Sequence, residues 1–173
     1  MVWLHGCKIR GMNTLHRCQR FLKQNGVRYA HSIHPPAYTA HDVAEAECMP
    51  LHELAKVVVY SGDNGYGMLV LTADYVADLD EVRRLLGLNE IRLAAESEMM
   101  ELFPDCEVGA MPPFGNMFNM PVLADEAIAT APFIVFNAGT HQDVLRMSGA
   151  DFHRLVKPLV ASFAVKAREL AMA

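Results

Sequence analysis

This sequence contains a loop, rich in glycine and proline, whose backbone is well suited to chemistry. It runs from Cys106 to Gly115 and reads Cys-Glu-Val-Gly-Ala-Met-Pro-Pro-Phe-Gly. Pro112 and Pro113 fix φ and lack an N–H, whereas Gly109 permits backbone angles and close approaches that a Cβ forbids. A backbone N–H in a glycine turn stabilises a developing oxyanion well, because it needs no reorganisation. The structural alternative, from composition alone, is a rigid connection between a helix and a strand.

Lys56 is a charged residue in apolar surroundings. It lies in the segment Leu54-Ala-Lys-Val-Val-Val-Tyr60. A buried lysine is costly unless it is paired, and its side chain ordinarily reaches to the surface. One interpretation is therefore an edge lysine that protects a strand against aggregation. The other is a fixed positive charge at the mouth of a pocket, directed at a phosphate or a polarised carbonyl.

Five further side chains each have a functional and a structural interpretation. Tyr38 either stacks on a terminal adenine or covers the core. Asn137 either binds a ribose or caps a turn, and His141 either donates a hydrogen bond to a substrate or is a surface residue of that turn. Met111 either lines a pocket or packs as an adaptable apolar residue. No neighbour of Cys106 in the sequence would lower its thiol pKa, so we expect a core residue rather than a nucleophile.

Length and composition indicate one globular domain. The chain has 173 residues, of which 52% are hydrophobic and 20% charged, and this size suits a single core. The net charge of −5 disfavours tight DNA binding but is compatible with a local contact to one RNA end. No apolar run approaches the ~20 residues that span a bilayer, so we expect no membrane association.

The cysteines and the N-terminus favour a cytoplasmic protein. The four cysteines have no CxxC spacing, and no His-x-x-x-His pair is present, so we predict no disulfide framework, no metal and no cofactor. Residues 1–11 lack the features of a signal peptide. Because Met12 resembles a natural start, we interpret residues 1–11 as an N-terminal extension and residues 12–173 as the domain.

Hydrophobic periodicity predicts alternating helices and strands. His31 and His34 fall near a strand end, where we expect a solvated or half-buried position. A glycine-containing turn at 61–65 joins two apolar runs into a β-hairpin. Helices are predicted at 13–24, 39–46, 80–86, 95–103 and 151–170, the last one interrupted or kinked at Pro158. Strands are predicted at 27–34, 54–60, 66–72, 121–124, 133–136 and 144–147, which makes the chain an α/β domain.

Several separated motifs resemble one known family. They occur in one order: His34-Pro-Pro-Ala-Tyr-Thr-Ala40, the helix 42–47, Leu54-Ala-Lys56, Gly109-Ala-Met-Pro-Pro-Phe-Gly115 and Phe136-Asn-Ala-Gly-Thr-His141. Together they resemble the YbaK family of aminoacyl-tRNA deacylases, which is related to the editing domain of bacterial prolyl-tRNA synthetases. The resemblance covers residues 12 to about 163.

The resemblance implies a fold and an activity. Members of the family have a single α+β domain around a mixed, largely antiparallel sheet with surrounding helices. They hydrolyse the ester that joins a wrong amino acid to the 3′ end of a tRNA, most often alanine or cysteine on the tRNA for proline. The partners implied are aminoacyl-tRNA and, for some members, prolyl-tRNA synthetase.

The resemblance also implies roles for particular residues. Lys56 and Gly109 would be catalytic, with Lys56 at the terminal phosphate or ribose and Gly109 in the loop that holds the carbonyl. Water would attack with help from the vicinal ribose hydroxyl, without a protein nucleophile. Substrate-binding residues would be Ala110, Met111, Pro112, Pro113, Tyr38, Asn137 and His141. The alternative is a non-catalytic module that binds tRNA ends or a synthetase surface.

Overall fold

The structure, a computed structural model, describes residues 13–166. Its helices are α1 (Thr14–Gln24), α2 (Ala40–Ala46), α3 (Leu79–Leu86), α4 (Glu96–Leu102), α5 (Glu126–Ala129) and α6 (Gly149–Val156). Its strands are β1 (Tyr29–Ile33), β2 (Ala55–Gly62), β3 (Gly65–Thr72), β4 (Val76–Ala77), β5 (Ile91–Leu93), β6 (Val122–Asp125), β7 (Phe133–Asn137), β8 (Asp143–Ser148), β9 (Leu159–Ala161) and β10 (Ala164–Val165). Two short 3-10 helices, Leu51–Glu53 and Gly115–Met117, lie between them.

Two sheets meet at the start of β2. The larger has the order β5-β2-β3-β6-β9, with antiparallel pairs around the β2–β3 hairpin and parallel pairs on both sides of β6. The smaller is antiparallel, in the order β1-β8-β7. A parallel bridge between Leu54 and Val135 connects them. The expected α+β class with a mixed, largely antiparallel sheet is confirmed.

The helices cover the sheets because their apolar residues repeat at helical spacing. The main core lies between the sheets and α1, and the aromatic rings of Phe103, Phe114 and Phe136 are fully buried in it. Polar caps set where the helices begin: Asn13 accepts a hydrogen bond from the N–H of His16, and Thr39 forms a capping box at the start of α2. Each cap satisfies N–H groups that a first helical turn leaves without partners.

The predicted C-terminal helix is wrong beyond α6. Helix α6 ends at Val156, and Lys157 takes the left-handed conformation with φ of 50°. Pro158 provides no N–H to continue the helix, and the chain then forms β9, which pairs in parallel with β6. Residues 167–170 of the predicted helix lie outside the described residues, as does the N-terminal extension 1–11.

The other predicted elements form with boundaries shifted by a few residues, whereas the short elements β4, β5 and α5 were not predicted and β10 lies where a helix was predicted. The hairpin turn, α1 to α4 and β6 to β8 all form where the periodicity placed them. Within residues 13–166, no helix is long and apolar enough to cross a membrane.

Candidate active site

The glycine–proline loop is tied to the turn between β7 and β8. The N–H of Glu107 donates to the Gly139 carbonyl at 2.9 Å, and the Gly139 N–H donates to the Ala110 carbonyl at 2.8 Å. The Glu107 carboxylate accepts the backbone N–H of His141 at 2.6 Å. Nothing in the sequence pattern pointed to Glu107, because its importance depends on a contact between segments 34 residues apart. The loop and the turn are therefore one structural unit.

Gly139 allows this unit to pack on α1. Its φ is +101°, and a Cβ built at this position would lie 2.5 Å from the Cβ of Thr14. Both the backbone conformation and the close approach therefore require glycine. The Thr14 hydroxyl in turn donates to the Asp105 carbonyl at 2.8 Å, which connects the start of α1 to the beginning of the loop.

His141 is held in a defined orientation beside Gly109. Its Nε2 lies 2.9 Å from the Val108 carbonyl, which can only accept, so Nε2 carries the proton and Nδ1 is an acceptor in the neutral ring. Nδ1 is buried and has no hydrogen-bond partner within the described chain. The ring of Tyr38 lies against that of His141, with ring centroids 5.1 Å apart. Tyr38 is 73% exposed. Tyr38 and His141, which are distant in sequence, are thus in contact.

Gly109 presents its N–H at the surface of the loop. Its φ of +90° is in the region that favours glycine, and a Cβ would lie 3.6 Å from Cε1 of His141. Among the described residues its N–H has no acceptor, whereas the N–H of Ala110 donates to the Glu107 carbonyl at 2.9 Å. Gly109 is exposed and its N–H is available to a ligand, whereas the N–H of Ala110 is not.

The side chains of the loop are directed into the protein. Ala110, Pro112 and Pro113 are buried, and Met111 is only 3% exposed and packs in the main core. Those contacts favour the packing interpretation of Met111. The loop consequently exposes backbone at Gly109, while its side chains hold it rigid.

A parallel bridge relates the position of Lys56 to that of Asn137. Because the bridge between Leu54 and Val135 is parallel, β2 and β7 run in the same direction. Two residues further on are Lys56 and Asn137, and alternation directs both side chains to the same face as Leu54 and Val135. The Oδ1 atom of Asn137 is buried and has no partner among the described residues. The lysine therefore lies near the end of β7, from which the turn carrying His141 begins.

The ammonium of Lys56 is half-buried. Its Nζ donates to the Ala73 carbonyl at 3.3 Å, and it lines a groove of about 860 Å³ together with Val58 and Ile91. Burial lowers the pKa of Lys56 below its ordinary value, and the nearby carboxylate of Asp74 partly offsets this. A cation with few partners in a partly dry position interacts strongly with any anion that reaches it.

His34 differs from the expectation of a solvated or half-buried residue, because it is only 5% exposed. Its Nδ1 lies 2.6 Å from the Pro35 carbonyl, so in the neutral ring Nδ1 carries the proton and Nε2 is an acceptor. That Nε2 is buried and has no partner within the described chain. Its backbone N–H donates to the Gln142 carbonyl at 3.0 Å, which places it beside the turn of His141.

Cys106 lies beside the loop without the properties of a nucleophile. Burial and the nearby Glu107 carboxylate raise the pKa of its thiol to about 12, so the reactive thiolate is scarce at neutral pH. Within residues 13–166, no group of three or more His, Cys, Asp or Glu side chains is placed to hold a metal ion. The polar groups at this edge are instead a lysine, an exposed glycine N–H and buried acceptors.

Residues 34–155 match the family model described as the aminoacyl-tRNA editing domain. The chain belongs to this family, and its class is that of the aminoacyl-tRNA deacylases.

Individual relatives agree with this assignment. The chain is 28% identical to the multifunctional Ser/Thr-tRNA deacylase ProXp-y of Escherichia coli K12 over 159 residues, which cover 89% of this chain and 95% of that protein. It is 27% identical to the proline–tRNA ligase of Thiobacillus denitrificans over 121 residues, 69% of this chain but only 20% of the ligase. The crystal structure of a candidate trans-editing enzyme for prolyl-tRNA synthetase superposes with a TM-score of 0.77 at 23% identity, covering 88% of this chain and 97% of that one.

Proposed function

We propose that the protein is a trans-editing hydrolase that cleaves the ester of a small amino acid wrongly attached to a tRNA. The observation that carries the proposal is that the loop of Gly109 and the turn of His141 form one hydrogen-bonded unit, with the Tyr38 ring against that of His141. Asn137 lies at the end of β7 where this turn begins, and a parallel bridge connects Val135 of β7 to Leu54, two residues before Lys56. Such preorganisation is what catalysis by positioning requires.

Each group has a role in the proposed reaction. The N–H of Gly109 donates to the ester carbonyl oxygen and stabilises the oxyanion that forms when water attacks. The vicinal ribose hydroxyl of the substrate assists the water, so that no protein side chain is the nucleophile. Lys56 contacts the terminal phosphate or the ribose, and Tyr38 covers the terminal adenine. The rigid Pro112–Pro113 segment limits the size of the amino-acid side chain.

Serine and threonine are the substrates we favour within the small class, ahead of the alanine and cysteine expected from the resemblance. The buried, unpaired atoms His34 Nε2, Asn137 Oδ1 and His141 Nδ1 support this choice, because acceptors bind a hydroxyl but gain nothing from a methyl group. The relative from Escherichia coli is also named as a Ser/Thr-tRNA deacylase. Because solvent does not reach these atoms, the Tyr38 ring that lies on His141 has to shift when the hydroxyl enters.

The test is hydrolysis of a matched panel of esters on the tRNA for proline. Seryl and alanyl esters differ by one hydroxyl, as do threonyl and 2-aminobutyryl esters, and the prolyl ester tests exclusion by size. We expect hydrolysis of seryl and threonyl esters, at least tenfold slower hydrolysis of their matched partners, and none of prolyl-tRNA. No hydrolysis of any small ester would favour the alternative, a non-catalytic module that binds tRNA ends or prolyl-tRNA synthetase.

A further inference from the structure

A second cavity begins at the opposite end of β7 from the candidate active site. Its volume is about 590 Å³, within the range of small-ligand sites, and its wall includes Phe133, Val135, Arg146, Tyr75 and Glu53. The proposed hydrolysis of the aminoacyl ester uses none of these residues. The cavity is therefore available for a different part of the substrate.

An aromatic ring and a cation form the most distinctive feature of this cavity. Phe133 is 49% exposed, and the guanidinium carbon of Arg146 lies 4.5 Å from the centre of its ring. Within the described residues, Arg146 forms no ion pair with a carboxylate. Its guanidinium is thus held over a ring with its N–H donors available to an anion.

The cavity and the active site lie on one face of the same strand. Side chains alternate along a strand, so Phe133, Val135 and Asn137 all project to one side of β7. Asn137 is four positions after Phe133, which is about 13 Å at ~3.3 Å per residue. One or two nucleotides of an extended single strand cover this distance. The ammonium of Lys56 is near Asp74, which is part of the cavity wall.

We propose that this cavity binds a nucleotide that precedes the terminal adenosine of the tRNA, with its base on Phe133 and its phosphate on Arg146. The proposal rests on the proposed function, since the terminal adenosine has to lie at Gly109. Stacking on an exposed aromatic ring and contact of a phosphate with a cation are the usual means of binding single-stranded RNA. The exposed carboxylates of Glu53 and Asp74 accept hydrogen bonds from the exocyclic amine of cytosine, the base that precedes the terminal adenosine in every mature tRNA.

Two substrates separate this subsite from the reaction centre. Seryl-tRNA contains the preceding nucleotides, whereas seryl-adenosine has the same ester without them. For Phe133→Ala we expect kcat/KM on seryl-tRNA to fall about tenfold. For Arg146→Ala we expect a similar fall. In a plot of the logarithm of the binding constant against the logarithm of the salt concentration, its slope should be less steep by about 0.7. We expect both variants to hydrolyse seryl-adenosine at the wild-type rate.

Control variants test whether the effect is local. Arg154→Ala removes an exposed arginine of α6 that is paired with Asp151, and we expect it to behave as the wild type on both substrates. Arg146→Lys keeps the positive charge and should restore most of the binding to uncharged tRNA, measured by fluorescence anisotropy. Thermal unfolding of each variant shows that it is folded.

Several results would overturn the proposal. Equal losses on seryl-tRNA and seryl-adenosine would mean that the substitutions disturb the active site, and no loss on seryl-tRNA would mean that the cavity binds no nucleotide. A loss that occurs only when prolyl-tRNA synthetase is present would indicate a surface for docking of a protein. If the wild type hydrolyses neither substrate, nor any other small ester, the proposed function fails and this subsite fails with it.

Discussion

Two polar regions at the ends of strands differ in whether their buried polar atoms have hydrogen-bond partners. At the end of β6, Asp125 is 7% exposed and both of its carboxylate oxygens are occupied. One oxygen accepts the N–H of Ala127 at 3.1 Å, and the other accepts the N–H groups of Phe163 and Ala164 at 3.0 Å each. Asp125 thereby starts α5 and connects the C-terminal segment to the larger sheet.

At the end of β7 the buried polar atoms have no such partners. His34 Nε2, Asn137 Oδ1 and His141 Nδ1 are acceptors without a donor, and of the buried unpaired side-chain atoms in the described chain only His153 Nε2, on α6, lies elsewhere. An unpaired buried polar group costs about 1–3 kcal/mol. Grouping several of them at one edge is therefore unfavourable for folding, and we expect a ligand or bound water to provide the missing donors.

The difference separates residues that stabilise the fold from those that act on a substrate. A substitution in the β6 region is expected to lower stability, and one in the β7 region to lower activity. Four measurements test this separation.

The largest expected effect is that of Lys56→Ala on activity. Loss of a fixed charge at a reaction centre costs about 10²–10³-fold in kcat, so we expect a loss of that size in kcat/KM with little change in melting temperature. Steady-state hydrolysis of seryl-tRNA and thermal unfolding measure the two quantities. Undiminished hydrolysis would contradict only the role of Lys56, because the ester panel tests the activity itself.

Asp125→Ala should have the next largest effect, and on stability alone. The N–H groups of Phe163 and Ala164 lose their acceptor in a buried position, and we expect the free energy of unfolding to fall by about 2–4 kcal/mol. Chemical denaturation measures this loss, and hydrolysis of seryl-adenosine, which does not reach the cavity that Asp125 lines, should remain near the wild-type rate at low temperature. A folded variant that had lost its activity would show that the two regions are not separate.

Gly109→Ala and Gly26→Ala form a matched pair with a smaller effect. Both glycines have positive φ, +90° and +68°, so alanine should destabilise either position by about 1 kcal/mol or more. Gly26 lies at the end of α1, away from the site. We therefore expect roughly tenfold slower hydrolysis for Gly109→Ala only. Equal activity of the two variants would mean that the reaction does not depend on the positive-φ conformation at Gly109.

The smallest effect is a shift in the alkaline part of the pH profile. Burial lowers the pKa of Lys56 below the ordinary lysine value of 10.5, so its ammonium is present at neutral pH and is lost as the pH rises through the lowered pKa. We expect the enzyme-catalysed kcat/KM on seryl-adenosine to fall over that range, after subtraction of spontaneous hydrolysis. Lys56→Arg stays charged, and its activity, though lower, should persist to higher pH. An identical alkaline fall in both proteins would exclude Lys56 as its cause.

Much of the fold follows from local patterns in the sequence. Helices were predicted from residues 13 and 39 by hydrophobic periodicity, and Asn13 and Thr39 cap them because short polar side chains satisfy free N–H groups nearby. The hairpin of β2 and β3 was predicted from two apolar runs around a glycine-containing turn. The C-terminal helix was wrong because β9 is stabilised by pairing with β6, a partner some 35 residues away that local periodicity does not reveal.

For the active site, the sequence by itself determined which groups are present: a rigid loop with glycine at its accessible end, a lysine in an apolar strand and a histidine in a turn. Only the tertiary structure decided how they are arranged. A parallel bridge connects β7 to the residue two before Lys56, Glu107 connects the loop to the turn, and His34 becomes buried with its Nε2 unpaired. The physical reason is that φ preferences and hydrophobic spacing act over a few residues, whereas register, burial and hydrogen-bond partners depend on segments distant in sequence.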